Sequence, residues 1–429
     1  MYKRQGDASN DAGTAVATDR NGGAFLTGQF AGAIDFGGGP VKSAGGVDTF
    51  LARLDGDGEH VFSAGFGDAG SPPVIASITS TADGGVLLYR RFTGTVDFGG
   101  GAITANGEDG FLTRYAADGT HRWTLPFTGV GEQGPWSVAE DPTTGDLVAV
   151  GSFTNQMSAG DVHLTSAGGT DVFVMRVNAD NGEPVDGQRF GGAAFDYADD
   201  VAVDAAGRVF VAGYSGGALD FGAGPPMSSS GGTWYGYLAA FDDAGPLYQV
   251  PFPGQDETRG SHVAVDSDTG AVYVAITLRG WTEIGGNDVG LSAGSVLVRL
   301  DAATGAYAAH RPLAFFSSPR ALDVTVAGDV VVAGSLNGPC DFGSGTVAPV
   351  NDPDGTPTQD GVVASYGPDL SLRGLVQVGT DGGDNLIGVA AVDGGVVAQG
   401  YFAGTYAPPG CLPLESAGDG DVIVMKLAF

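Results

Sequence analysis

A bulky apolar residue recurs at Phe66, Phe127, Phe190, Phe252, Phe315 and Val378, at intervals of 61 to 63 positions. A chain with such a period folds as an array of small units, each packing its apolar faces on its neighbours. The first copy reads Val16-Ala17-Thr18-Asp19, Gly23-Ala24-Phe25-Leu26-Thr27-Gly28, Ile34-Asp35-Phe36-Gly37-Gly38-Gly39, Asp48-Thr49-Phe50-Leu51-Ala52-Arg53-Leu54 and His60-Val61-Phe62. Its second apolar run returns at 86–88, 147–150, 209–212, 272–275, 330–333 and 396–398, and its third at 111–115, 173–177, 237–241, 296–300, 362–366 and 422–427. These short runs are rich in β-branched and aromatic residues, with Asp-Gly, Asn-Gly and Thr-Gly between them, and no segment keeps a helical period. The class is all-β. Four short strands per unit of about 61 residues, seven times over, predict a seven-bladed β-propeller with four antiparallel strands per blade.

The ends of the chain fit a ring. The next anchor after Val378 would fall at about 440, beyond Phe429, and one period before Phe66 stands Gln5. Residues 1–5 are therefore expected to complete blade seven, so that one propeller spans 1–429 and no sheet edge is left to template aggregation.

Composition bounds the partners. Hydrophobic residues make up 42% of the chain, enough for a core despite Gly 76 and Pro 22. With Lys+Arg 19 against Asp+Glu 50, the net charge of −31 repels phosphate backbones and anionic lipid, so nucleic acid is not an expected partner. No apolar stretch reaches the length of a membrane-spanning helix, and membrane insertion is not expected. A monomer is. Residues 1–5 carry two basic residues with no apolar segment behind them, so no signal peptide is read here. Cys340 and Cys411, in equivalent long connections of adjacent units, are candidates for a disulfide.

The pattern Asp-Phe-Gly-Gly-Gly, Ser-Ala-Gly-Gly, Asp-x-Phe-x-x-Arg-Leu and an outer-strand aromatic such as Trp123 resembles the bacterial β-propeller repeat known as the SBBP repeat. That resemblance implies an extracellular, periplasmic or cell-surface setting. It brings no catalytic residues.

The glycine-rich copies at 35–39 and 97–101 lack the following helix that a phosphate loop needs, and read as turns. Asp55-Gly56-Asp57-Gly58 falls at a turn that other copies also fill. Asp352, Asp354 and Asp360 lie in a less regular loop and form the one candidate calcium site; no other cofactor is expected. Five histidines form no metal or catalytic pattern, so the chain reads as non-catalytic. Ligand binding is expected on the long second-to-third connections, where function concentrates on such scaffolds. Departures from the repeat mark the place: Trp136, Phe195, Asp196, Tyr197, Asp199, Asp200, Trp234, Tyr235, Asp256, Glu257 and Trp281. Aromatic faces and carboxylates of this kind suit glycan, or protein through the same anchors. The alternative is a polysaccharide-cleaving enzyme using carboxylates on the same face.

Overall fold

The computed structural model describes residues 2–5, 11–19, 22–67, 76–228, 234–254, 257–314, 316–352, 354–407, 413–417 and 420–429. Every regular element among them is a β-strand. The first repeat forms Ala12–Thr18, Ala24–Ile34, Val41–Leu54 and His60–Phe66, an antiparallel sheet in simple up-and-down order. Sheets beginning with Asp196–Val203, Glu257–Asp266 and Phe316–Val324 repeat that order. His121–Glu140 serves two units, pairing with Gly107–Tyr115 through its first half and with Leu147–Ala159 through its second. Tyr2–Gln5 pairs antiparallel with Asp421–Leu427, Tyr2 opposite Met425 and Gln5 opposite Val422.

The core lies between neighbouring sheets. Phe25 and Leu51 of the first sheet pack with Ile78, Leu88 and Phe111 of the next, and Val16 and Leu26 pack with Val422 and Val424. First strands line the centre: Ala12–Thr18 packs against both Ser77–Ser80 and Asn385–Val392, and each first strand in turn meets the next. Antiparallel sheets standing radially around one cavity form a β-propeller-type arrangement.

The recurring motif residues are structural. Asp35 accepts hydrogen bonds from the amides of Gly37 (2.7 Å) and Gly39 (3.1 Å), Asp97 from Gly99 and Gly101, and Asp341 from Gly343 and Gly345. Gly37 and Gly39 have φ of 107° and 102°, a region that favours glycine. The next residue of the motif is a core plug: Phe36 and Phe98 are buried, and Phe98 stacks on Phe111 at 4.3 Å. The Asp of the third strand is buried and ties down the loop before it, as where Asp48 takes the Ala44 amide and Asp171 the Ala167 amide. Asp55 accepts from the Asp57 and Glu59 amides, so it too makes a turn.

One irregularity positions the site. The pairing of first and second strands slips by a residue between Gly13 and Ala15, Pro135 and Ser137, Ala198 and Asp200, Gly260 and His262, Pro319 and Ala321, and Leu386 and Gly388. Each slip is a β-bulge, which puts one extra side chain on a strand and re-aims it. The extra residues are Thr14, Trp136, Asp199, Ser261, Arg320 and Ile387, and all six line the central cavity. Repeat packing does not dictate their identity.

Candidate functional site

The cavity has a volume of about 1250 Å³. On an ordinary strand Asp199 and Asp200 would face opposite ways; the bulge turns both into the cavity wall. Their roles then diverge. Asp200 is held by Ser137 Oγ at 2.6 Å, by the amides of Val201 and Val263, and by His262 Nδ1 at 3.5 Å. His262 Nε2 faces the Pro319 carbonyl at 3.2 Å. Ser137, Asp200, His262 and Pro319 thus form a belt across four successive repeat units. With the carboxylate in the middle, no imidazole activates the serine, so the group is a staple rather than a nucleophilic triad.

Asp199 makes no hydrogen bond among the described residues. Burial pushes its carboxyl up to about 7, with His262, Arg259 and Arg90 opposing the rise and Asp200 adding to it. It is a hydrogen-bonding group without a partner, aimed into a cavity.

Two aromatic platforms flank it. Arg90 and Arg91 lie over the Trp136 ring, at 4.1 and 4.7 Å from its centroid. Burial and the adjacent Arg91 draw the Arg90 guanidinium down to about 10. Trp136, whose Nε1 donates to Ser152 Oγ, is therefore a seat for cations, which rings bind through their negative faces. On the other side Tyr197 stacks on Tyr214 at 4.8 Å, Trp234 meets Tyr214 edge-on at 5.4 Å, and Arg259 lies 4.6 Å over Tyr214. Glu257 pairs with Arg259 at 2.6 Å. Trp234 joins this group because its carbonyl accepts the Thr258 amide, which pins the long connection to the next first strand. Phe195, 52% exposed, extends the cluster outward, 6.5 Å from Trp234.

Of the residues singled out in the sequence, Trp136, Tyr197, Asp199, Asp200 and Glu257 line the cavity, and Phe195 and Trp234 stand at its rim. Tyr235 is fully buried, its hydroxyl donating to the Met227 carbonyl, because it starts a strand one residue out of phase with Trp234. Asp196 is also fully buried, accepting from Ser215 Oγ and the Gly192 amide; burial raises its pKa. Neither lines the cavity. Trp281 lies on the hairpin of Ala271–Ile284, away from the cavity lining. Asp256 lies outside the described residues.

In the irregular loop, Asp352 accepts from the Asp354 and Thr356 amides, and Asp360 accepts from Val350, Thr358 and Gln377. Asp354 is exposed. No group of three or more metal-ligating side chains occurs among the described residues. Cys340 is buried, which pushes its thiol up to about 12; Cys411 lies outside the described residues.

The sequence reading missed the arginines. Arg90 occupies a place that is Gly28, Gly151, Gly213, Gly334 and Gly400 in other units. At Gly213 a Cβ would sit 2.0 Å from the Tyr197 carbonyl, so that unit demands glycine there, whereas the fifth unit carries Ile276 at the same place. An arginine at this position was a visible departure. Tyr214, Arg259, Arg279 and Arg320 also line the cavity.

No protein-family model and no curated protein matches the sequence. The likeness to the SBBP repeat thus rests on the quoted motifs alone. Among solved structures, the RRP9 WD40 repeats align over 100% of both chains at 9% identity with a TM-score of 0.48. The Neurospora crassa Pan2 WD40 domain covers 97% of this chain, with 90% of its own, at 8% identity and 0.47. A Dyadobacter fermentans protein of unknown function covers 99% of each at 13% and 0.41. Likeness at this level carries no inference about function.

Proposed function

We propose that the chain is a seven-bladed propeller, closed by its N-terminal strand, that binds glycan at the mouth of its central cavity without cleaving it. The pairing of Tyr2–Gln5 with Asp421–Leu427 and the succession of first strands around the cavity support the closed ring. One observation carries the binding reading. Half-buried Tyr197, Tyr214 and Trp234 converge beside Asp199, which has no hydrogen-bond partner among the described residues. Rings of this kind cover the apolar faces of sugars, and free carboxyls bind their hydroxyls. A concave site suits a saccharide better than a flat protein surface. By resemblance to the SBBP repeat, the setting is extracellular, periplasmic or cell-surface.

Calorimetry against a panel of neutral and acidic oligosaccharides tests this. Binding by at least one member, lost in Tyr214→Ala and Trp234→Ala with the melt nearly unchanged, supports it; binding that survives both substitutions contradicts it. A second reading, polysaccharide cleavage, is favoured by the Asp199 carboxyl near 7, the range of a general acid. Time-resolved product analysis on the same panel separates the two, since a binding module leaves every chain length unchanged.

A further inference from the structure

The cavity gathers four arginines inside a protein of net charge −31. Arg90, Arg259, Arg279 and Arg320 all line it. Arg259 is paired with Glu257, whereas no carboxylate lies in ion-pair range of Arg90, Arg279 or Arg320 among the described residues. Elsewhere among the described residues most arginines are ion-paired, as Arg114 with Asp83, Arg176 with Asp141 and Asp243, Arg189 with Asp171 and Arg208 with Asp204, while Arg122, Arg299 and Arg311 stand apart as scattered exceptions. In a chain with 50 acidic residues, three unpaired guanidiniums in one cavity are a site in waiting for an anion. Their planar forks match a carboxylate in two-point contact.

The rest of the lining narrows the anion. Asp199, Asp200, Glu257 and Asp323 share the walls, so a ligand charged at every position would be repelled. Tyr197 and Tyr214 offer apolar faces, and Asp199 and Glu257 offer oxygens for hydroxyls. A ligand with one carboxylate, several hydroxyls and an apolar ring face meets all three conditions. We infer that the cavity takes a short uronate-bearing oligosaccharide, or the end of a longer chain. This rests on the glycan-binding reading. Length is limited by the surface outside, because an acidic polymer lying across it gains repulsion with every added residue, while its terminal sugar reaches the arginines within.

The experiment is calorimetry with the full chain and a panel of uronate-containing di- to hexasaccharides, each paired with its methyl ester, which keeps the sugar and removes the charge. Neutral and sulfated oligosaccharides run alongside. The expected result is at least one uronate member binding tenfold or more tighter than its ester. Arg279→Ala combined with Arg320→Ala should erase that preference while keeping the weaker ester binding. Both side chains are exposed, so the variant folds, and an unchanged melt documents it. Equal binding of acid and ester, or preference for a sulfated ligand, overturns the uronate assignment but keeps a glycan site. No binding by any saccharide overturns both.

Discussion

Asp199 is neutral over most of the acid range because burial in the cavity wall disfavours its charge, and the charged groups facing it (His262, Arg259, Arg90 and Asp200) do not restore it. Raising the pH through about 7 creates a negative charge in the wall of the cavity proposed to take the uronate. Affinity for a uronate ligand should therefore fall roughly 3- to 10-fold between pH 6 and pH 8. Asp199→Asn should flatten that dependence, and His262→Gln separates the imidazole's part; a steep dependence surviving in Asp199→Asn would assign it elsewhere. The fully buried Asp384 obeys the same logic for stability, since burial also raises it to about 7. Its folded pKa lies above the ordinary carboxylate value, so the native state holds a proton that the unfolded chain releases. This contribution is present below about pH 4 and is lost as pH rises to 7. The melting temperature should be a few degrees higher at pH 5 than at pH 8, with a smaller difference in Asp384→Asn.

At the scale of strands, the bulge decides what reaches the cavity. Gly213→Ala would place a Cβ 2.0 Å from the Tyr197 carbonyl, where backbone rather than a flexible side chain must yield. A cost of about 2–4 kcal/mol is expected, with loss of ligand binding because Tyr197 and Asp199 move with the strand. Chemical denaturation and calorimetry on the same variant read the two effects. Gly145→Ala, at a turn with nothing near its Cβ but with φ of 79°, should cost less and leave binding intact. Strands and turns were legible because alternation and Gly or Asp punctuation are written into every unit. The bulges were not, since one extra residue changes neither composition nor periodicity. Hence Asp199 and Asp200 were picked as departures from the repeat, yet their shared access to one cavity became visible only in the strand pairing. Tyr235 shows the converse: next to Trp234 and equally unusual, it faces the core because a strand starts between them.

On the proposed closed ring, the whole molecule depends on joining its ends. If Tyr2–Gln5 completes the last blade, deletion of residues 1–7 leaves Asp421–Leu427 with an open edge, and the melting temperature should fall by about 5 °C or more. A melt within error of the full chain would show that this pairing adds no stability. Charge acts at the same scale, through an acidic exterior around a cavity holding unpaired arginines. Composition told of the exterior, and departures from the repeat told of five lining residues, Trp136, Tyr197, Asp199, Asp200 and Glu257. The arginines escaped notice because they are scattered over the sequence at Arg90, Arg259, Arg279 and Arg320, and only radial packing gathers them. The most direct measurement is a crystal structure of the full chain with the tightest oligosaccharide of the panel. The account predicts density inside the cavity, with a sugar ring against Tyr197 or Tyr214 and a carboxylate on Arg90, Arg279 or Arg320. Density on an outer sheet face or at the tight turns, with the cavity holding only solvent, would contradict it.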